Sequence, residues 1–499
     1  MTPAVRPIRP IRLTFTPACG AALLAVVPAL FAACAELPWG AGGLEVAPAQ
    51  RSALVRVLAA DDLALASGRL DTELLERVGN TVHLFEGAVT PVPGIEVSLR
   101  DAAIVLGPAT LSPSDDGDLL LARVELSAPT QPLTSSDSNC SATFALAPGV
   151  LELVVDLTSD RLGRVQGLVK SGARWIGDSP TVALDNCGFT VGSSLDFGAR
   201  FAVAAAQALA DPIAAALPSA LGLDLALSWS GVVGLDTLGA GIVRASLRAT
   251  ADAVLSFEGD WLAVHYDLGL EVDPHPCAGG FTLPDARPTT GSPSLAGTAL
   301  ALGALERAIQ AVWLAGAACG ASAIALVPEP LRSVPLSDLA EDWPALANLA
   351  RLDPKATAAL AFWPGDLPTL EADPATADAL RIAIHGLQVD VMGQLEGAHW
   401  RLASIELDLE ITGQLVTDIN GFVHFDTFDV LATASSGAAG LATAPDLSKS
   451  GPLLAPIVRL LLESRPLLRL PRGLAPPRTT VWRVDGDHVT LPGAKPEAP

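Results

Sequence analysis

The chain has 499 residues, half of them apolar and only 17% charged, with a formal net charge of −23. That composition excludes wholesale disorder, and the acidic balance excludes nucleic acid as a partner, because phosphate contacts draw on clustered Lys and Arg. It also disfavours charge-driven docking on anionic lipid, while leaving an apolar connection to lipid open.

Arg6, Arg9 and Arg12 form a basic start, and Leu13 to Ala33 is an apolar run ending in small residues, the layout of an export signal. Leu30-Phe31-Ala32-Ala33-Cys34 resembles a bacterial lipobox, in which cleavage precedes a lipid-modified cysteine, although Phe31 stands where Leu is usual. Residues 1–33 are therefore expected to be a lipoprotein signal peptide, Cys34 the lipidation site, and 34–43 a short tether. Cleavage removes three arginines and no acidic residue, so the remainder is more acidic still. Ala35 after the cysteine, rather than Asp, resembles the outer-membrane address of bacterial lipoproteins. The expected location is thus the bacterial envelope, with the membrane reached through the N-terminal lipid.

Cys19 falls in the signal, which leaves Cys140, Cys187, Cys277 and Cys319. Four exported cysteines predict two disulfides. The sequence permits three connectivities, and the neighbour pairing Cys140–Cys187 with Cys277–Cys319 is the expected one. No Cys or His spacing matches a zinc site, so neither metal nor other cofactor is expected.

Along the chain, Ala53 to Val78 combines a strand-like start with LDTELLERV, where Leu70, Leu74, Leu75 and Val78 share a helical face. Alternation follows at Ile95, Val97 and Leu99, then across the turn Asp115-Asp116-Gly117-Asp118 into Leu120, Ala122, Val124 and Leu126, and again at Leu151, Leu153, Val155 and Leu157. Phe197 to Leu217 predicts a second helix, rich in small residues, which Pro212 is expected to kink or divide. Residues 243–253 and 262–272 alternate as a long hairpin with one wet face. A Pro/Gly-rich stretch, 273–294, predicts a linker.

Residues 295–319, LAGTALALGALERAIQAVWLAGAAC, are apolar apart from Glu306, Arg307 and Gln310 and predict one long helix. A charged pair in mid-helix makes a membrane span costly. Alternating residues near 380–384 and 405–411 and the turn Asn420-Gly421 predict further strands. A last helix, GPLLAPIVRLLLESRPLLRLP, and a strand pair around Asp485-Gly486 close the chain.

This order resembles the proteins related to bactericidal/permeability-increasing protein and lipopolysaccharide-binding protein, the tubular lipid-binding superfamily. Three stretches carry the resemblance: the apolar run Ala299 to Cys319, the spacing of Cys140 and Cys187, and residues 452–493 with their Leu-Pro step and final strand. The resemblance implies an α+β fold of two pseudo-symmetric barrels of curled antiparallel sheet, each wrapped around a long apolar helix. On that implication residues 44–272 form the N-terminal lipid-binding barrel, 295–493 the C-terminal one, and 494–499 a disordered tail. Acyl chains would lie between helix and sheet, where burial is worth roughly 0.8 kcal/mol per methylene. The candidate lipid contacts are then Leu209 and Ile213, Leu305, Ile309 and Val312, and Ile457 and Leu461. The antibacterial members capture lipopolysaccharide with a cationic tip, which a chain this acidic lacks, so neutral or zwitterionic phospholipid-like chains are the expected ligand.

Two other function classes compete. A structural or adhesive surface lipoprotein with a filled core needs no ligand, and an envelope hydrolase needs a catalytic constellation. No GxSxG, HExxH, phosphate-loop or dinucleotide motif occurs, so no catalytic residue is assigned. A porin-like barrel conflicts with a single Tyr and 5% aromatic residues.

Overall fold

A computed structural model of the chain describes residues 45–46, 49–83, 88–92, 95–98, 102–114, 119–136, 140–170, 172–185, 198–223, 225, 227–236, 239–249, 256–258, 261–278, 281–287, 297–319, 333–395, 398–442, 455, 459, 468–469 and 478–492. The signal peptide, Cys34, the tether, Cys187, Ile457, Leu461, the turn at 115–118 and the tail at 494–499 lie outside the described residues.

The described chain is mixed α and β, mostly strand, in antiparallel sheets. Its strands form because apolar and polar residues alternate over long runs. In Ser141–Ser159 the buried residues Leu151, Leu153, Val155 and Leu157 are separated by half-buried Glu152, Val154, Asp156 and Thr158. The longest strand, Ala398–Thr417, has 20 residues. Strands of that length curl where an extra residue interrupts the ladder, as between Leu126 and Ala128 or between Ile384 and Leu387. Gly386, at φ 64°, supplies the left-handed backbone at the second of these.

One sheet runs Arg174–Ile176, Ser141–Ser159, Leu120–Leu133, Ala103–Pro113, Thr81–His83. Two helices pack on it. Helix α1, Ala60–Val78, starts where the Asp62 carboxylate accepts the Ala59 N–H at 3.0 Å and ends at Gly79, φ 80°. Its buried stripe is Leu63, Ala66, Leu70 and Leu74. The Ser67 hydroxyl donates to the Leu63 carbonyl and accepts the Leu111 N–H, tying α1 to the sheet. Helix α2, Gly198–Ala220, runs unbroken through Pro212 and Pro218, so the expected division at Pro212 does not occur. Packing decides this. A Cβ added at Gly167 would lie 2.8 Å from the Ala214 carbonyl oxygen, so helix and strand Val165–Val169 touch backbone to backbone just after the proline.

A second sheet, from the chain's later half, runs Val334–Pro335, Thr357–Trp363, Leu380–Leu395, Ala398–Thr417, Phe422–Ala439, Leu468–Arg469. Between them a third sheet runs Leu227–Asp236, Gly239–Ala249, Trp261–Asp273, Gln50–Leu58, Gly297–Ala301, His488–Pro492, Arg483–Asp485. Strands from the start, middle and end of the chain thus share one ladder.

The stretch 295–319 is not one helix. Gly297–Ala301 is a strand, and helix α3 occupies only Leu302–Leu314. All five strand residues are buried, with Gln50–Leu58 bonded on one side and His488–Pro492 on the other. Two ladders of backbone hydrogen bonds override a sequence pattern that fits either state. The segment expected as a linker is also held down where it is described. The His275 N–H donates to the Leu314 carbonyl, Gln50 Nε2 donates to the Arg287 carbonyl at 2.6 Å, and Leu283 belongs to the core.

Candidate functional site

Helix α3 follows its strand directly, the Leu302 N–H donating to the Asp487 carbonyl at 2.8 Å. Every residue of α3 except Leu305 and Ile309 is buried, including the three polar ones. Glu306 Oε1 accepts the Leu370 N–H at 3.2 Å, and its Oε2 lies 3.8 Å from Arg287 Nη1. Gln310 Nε2 donates to the Pro368 carbonyl at 2.9 Å. Burial pushes the Arg307 guanidinium pKa down, and Asp285 partly restores it. Glu306 and Gln310 therefore bind α3 to Arg287 and to segment 366–372, satisfying groups that burial would otherwise penalise. A cleft of about 160 Å³ opens at the start of α3 between Arg287, Leu302, Gly303, Glu371, Ala372 and Asp487.

At the other end of α3, Cys319 is disulfide-bonded to Cys277 across 42 residues of sequence. The Cys277 N–H donates to His275 Nδ1 at 3.2 Å, and Gly316, φ 96°, passes so close that a Cβ would lie 2.7 Å from the His275 ring. His275, Cys277 and Cys319 bring three metal-type donors within 4.8 Å, but both sulfurs are spent in the disulfide. Cys140 is also disulfide-bonded, and its expected partner Cys187 lies outside the described residues.

Of the lipid-contact candidates, Leu209 and Ile213 are fully buried on α2, and Val312 is fully buried on α3. Leu305 and Ile309, one helical turn apart, are half-buried at the edge of the same core. The two groups sit on different helices against different sheets. One apolar cluster nevertheless joins them, running from α1 and α2 through the shared sheet to the later-half sheet. The stretch Phe201–Ala220 of α2 is long and apolar enough to cross a membrane by length and composition, with 50% of its most apolar part buried inside the protein.

Two polar features escaped the sequence reading. Asp390, buried, accepts hydrogen bonds from Trp363 Nε1 and Gln388 Nε2, each at 2.9 Å, and from the Ser404 hydroxyl. Arg56 lies on the core face of Gln50–Leu58 with Leu54 and Leu58, opposite Val264 and Thr298. The alternation signal was present, since a charge two residues from each of two core leucines belongs on their face.

No protein-family model matches the chain, and no curated protein matches it in sequence. Among solved structures, a crystal structure of lipopolysaccharide binding protein is similar at 12% identity and a TM-score of 0.37, covering 88% of this chain and 98% of the other. P47 from Clostridium botulinum A2 is similar at 9% identity and a TM-score of 0.26, covering 90% of this chain and 99% of the other.

Proposed function

We propose that the chain is a lipid-binding protein of the bacterial envelope, anchored through a lipid on Cys34, that holds phospholipid-like acyl chains in apolar tunnels for carriage or sensing. In this reading the shared sheet joins two barrel-like halves, and acyl chains lie between helices and curled sheet in each. The observation that supports it best is the single apolar cluster, built mainly of Leu, Ala and Val, that continues through α1, α2, the shared sheet and α3 into the later half. Acyl chains need an unbroken apolar path, and bulky aromatic filler would close one. Leu305 and Ile309 lie at its half-open edge.

Leu209, Ile213 and Val312 favour a second reading, a structural surface protein, because their side chains are already fully packed. Expression with export, extraction with organic solvent and mass spectrometry separates the two. Stoichiometric co-purifying lipid supports the first reading, and a clean extract supports the second. For the anchor, Cys34→Ala should release the protein from the membrane fraction and stop labelled palmitate incorporation; unchanged fractionation would remove the anchor from the proposal.

A further inference from the structure

Arg56 is 9% exposed, in the middle of the shared sheet, with Leu54, Leu58 and Val264 beside it on the same face. Its Nη1 donates to Thr298 Oγ1 at 3.4 Å, a long hydrogen bond. Its Nε is buried without a partner, and no carboxylate among the described residues pairs with it. Asp62 is the nearby acid, but the Asp62 carboxylate is engaged at the start of α1 by the Ala59 N–H. The charges that reach Arg56 are those of Asp62 and Arg69, so a second arginine adds to the positive side. The Tyr266 hydroxyl is spent on the Leu223 carbonyl at 2.7 Å, and Arg69 Nη1 would come within 3.9 Å of a Cβ at Gly222. A guanidinium buried this deeply with one weak hydrogen bond has no direct ion-pair partner, and the edge left open, Nε with Nη2, is the one that meets two oxygens of a planar anion side-on.

We infer that Arg56 is the receptor for the headgroup of a lipid bearing one small oxyanion, such as a fatty-acid carboxylate, whose acyl chain lies in the apolar interior between the shared sheet and helices α1 and α2. The inference rests on the lipid-binding reading and narrows its ligand. A carboxylate there supplies the direct ion-pair partner that Arg56 lacks, and its two oxygens take the Nε and Nη2 protons. Thr298 keeps Nη1 aligned.

The test measures binding of palmitate, of hexadecanol and of inorganic phosphate to delipidated full-length protein at neutral pH, by calorimetry, with Arg56→Met and Arg56→Lys alongside. Palmitate is expected to bind the wild-type protein at least ~10-fold more tightly than hexadecanol. That preference should vanish in R56M and fall several-fold in R56K, with hexadecanol binding unchanged. The headgroup preference is read on wild-type protein, so it stands even if R56M does not fold. Equal binding of palmitate and hexadecanol overturns the role of Arg56 and leaves the lipid reading intact. Binding of neither chain overturns the lipid reading and the inference with it. Phosphate binding as tight as palmitate, lost in R56M, overturns the lipid headgroup in favour of a free-anion site.

Discussion

Trp482 donates its indole N–H to the Thr417 hydroxyl at 2.7 Å, both side chains buried, while the Trp482 N–H donates to the Leu415 carbonyl. This pair fastens the chain's closing segment to the later-half sheet just before Arg483–Asp485 and His488–Pro492 enter the shared sheet. Truncation should therefore loosen two sheets at once. Trp482→Ala is expected to cost about 3–5 kcal/mol, and Thr417→Val, which strands the indole N–H, about 1–3 kcal/mol. Urea midpoints read both, and a Trp482→Ala protein as stable as the wild type would show that the segment does not clasp the sheets.

The Cys277–Cys319 bond closes a loop that contains the strand Gly297–Ala301 and all of α3. Chain entropy for a loop of that length gives about 4 kcal/mol. Cys277→Ser with Cys319→Ser should lower stability by an amount of that order. Thermal unfolding of the two proteins without reductant checks it, the bond at Cys140 being intact in both; a double variant as stable as the wild type would mean the Cys277–Cys319 bond constrains nothing.

These two sites also show what sequence could reveal. The Cys277–Cys319 pairing, the strand pair around Asp485-Gly486 and the long hairpin near 243–272 are local or carried by alternation, and each is found where expected. Gly297–Ala301 was not legible, because a short apolar run beside a helix has no period of its own. Its state is decided by partners far away in the chain, as when Thr298 meets Arg56 across 242 residues. Glu306 and Gln310 were visible as interruptions, but their acceptors and donors are backbone groups of Leu370 and Pro368, which no side-chain pattern announces.

Leu305 and Ile309 are half-buried on one edge of α3, and Val312 on the same helix is fully buried. Trp at either of the first two should fill the edge of the apolar interior and reduce co-purifying lipid without large loss of stability. Trp at Val312 should overpack the core and cost about 1–3 kcal/mol. Lipid per protein by mass spectrometry, read beside the urea midpoint, separates blocking from unfolding. Unchanged lipid in Leu305→Trp and Ile309→Trp would exclude this edge as the entry.

His488 is buried in the shared sheet opposite Ala301. Burial pushes its pKa below the ordinary 6.5, and His265 adds to the shift, while Asp485 and Asp487 oppose it. The unfolded chain therefore takes up a proton on this imidazole as the pH falls through 6.5, while the folded chain stays neutral until lower pH. More protons bound when unfolded means that stability rises with pH in that window. The contribution of His488 is complete above that pH and is lost as the solution is acidified towards the lowered pKa. His488→Gln removes the titrating group, so unfolding measured in urea at about pH 7.5 and about pH 5 should show a smaller acid loss in the variant than in the wild type. Equal losses in the two proteins would place the acid sensitivity on other groups.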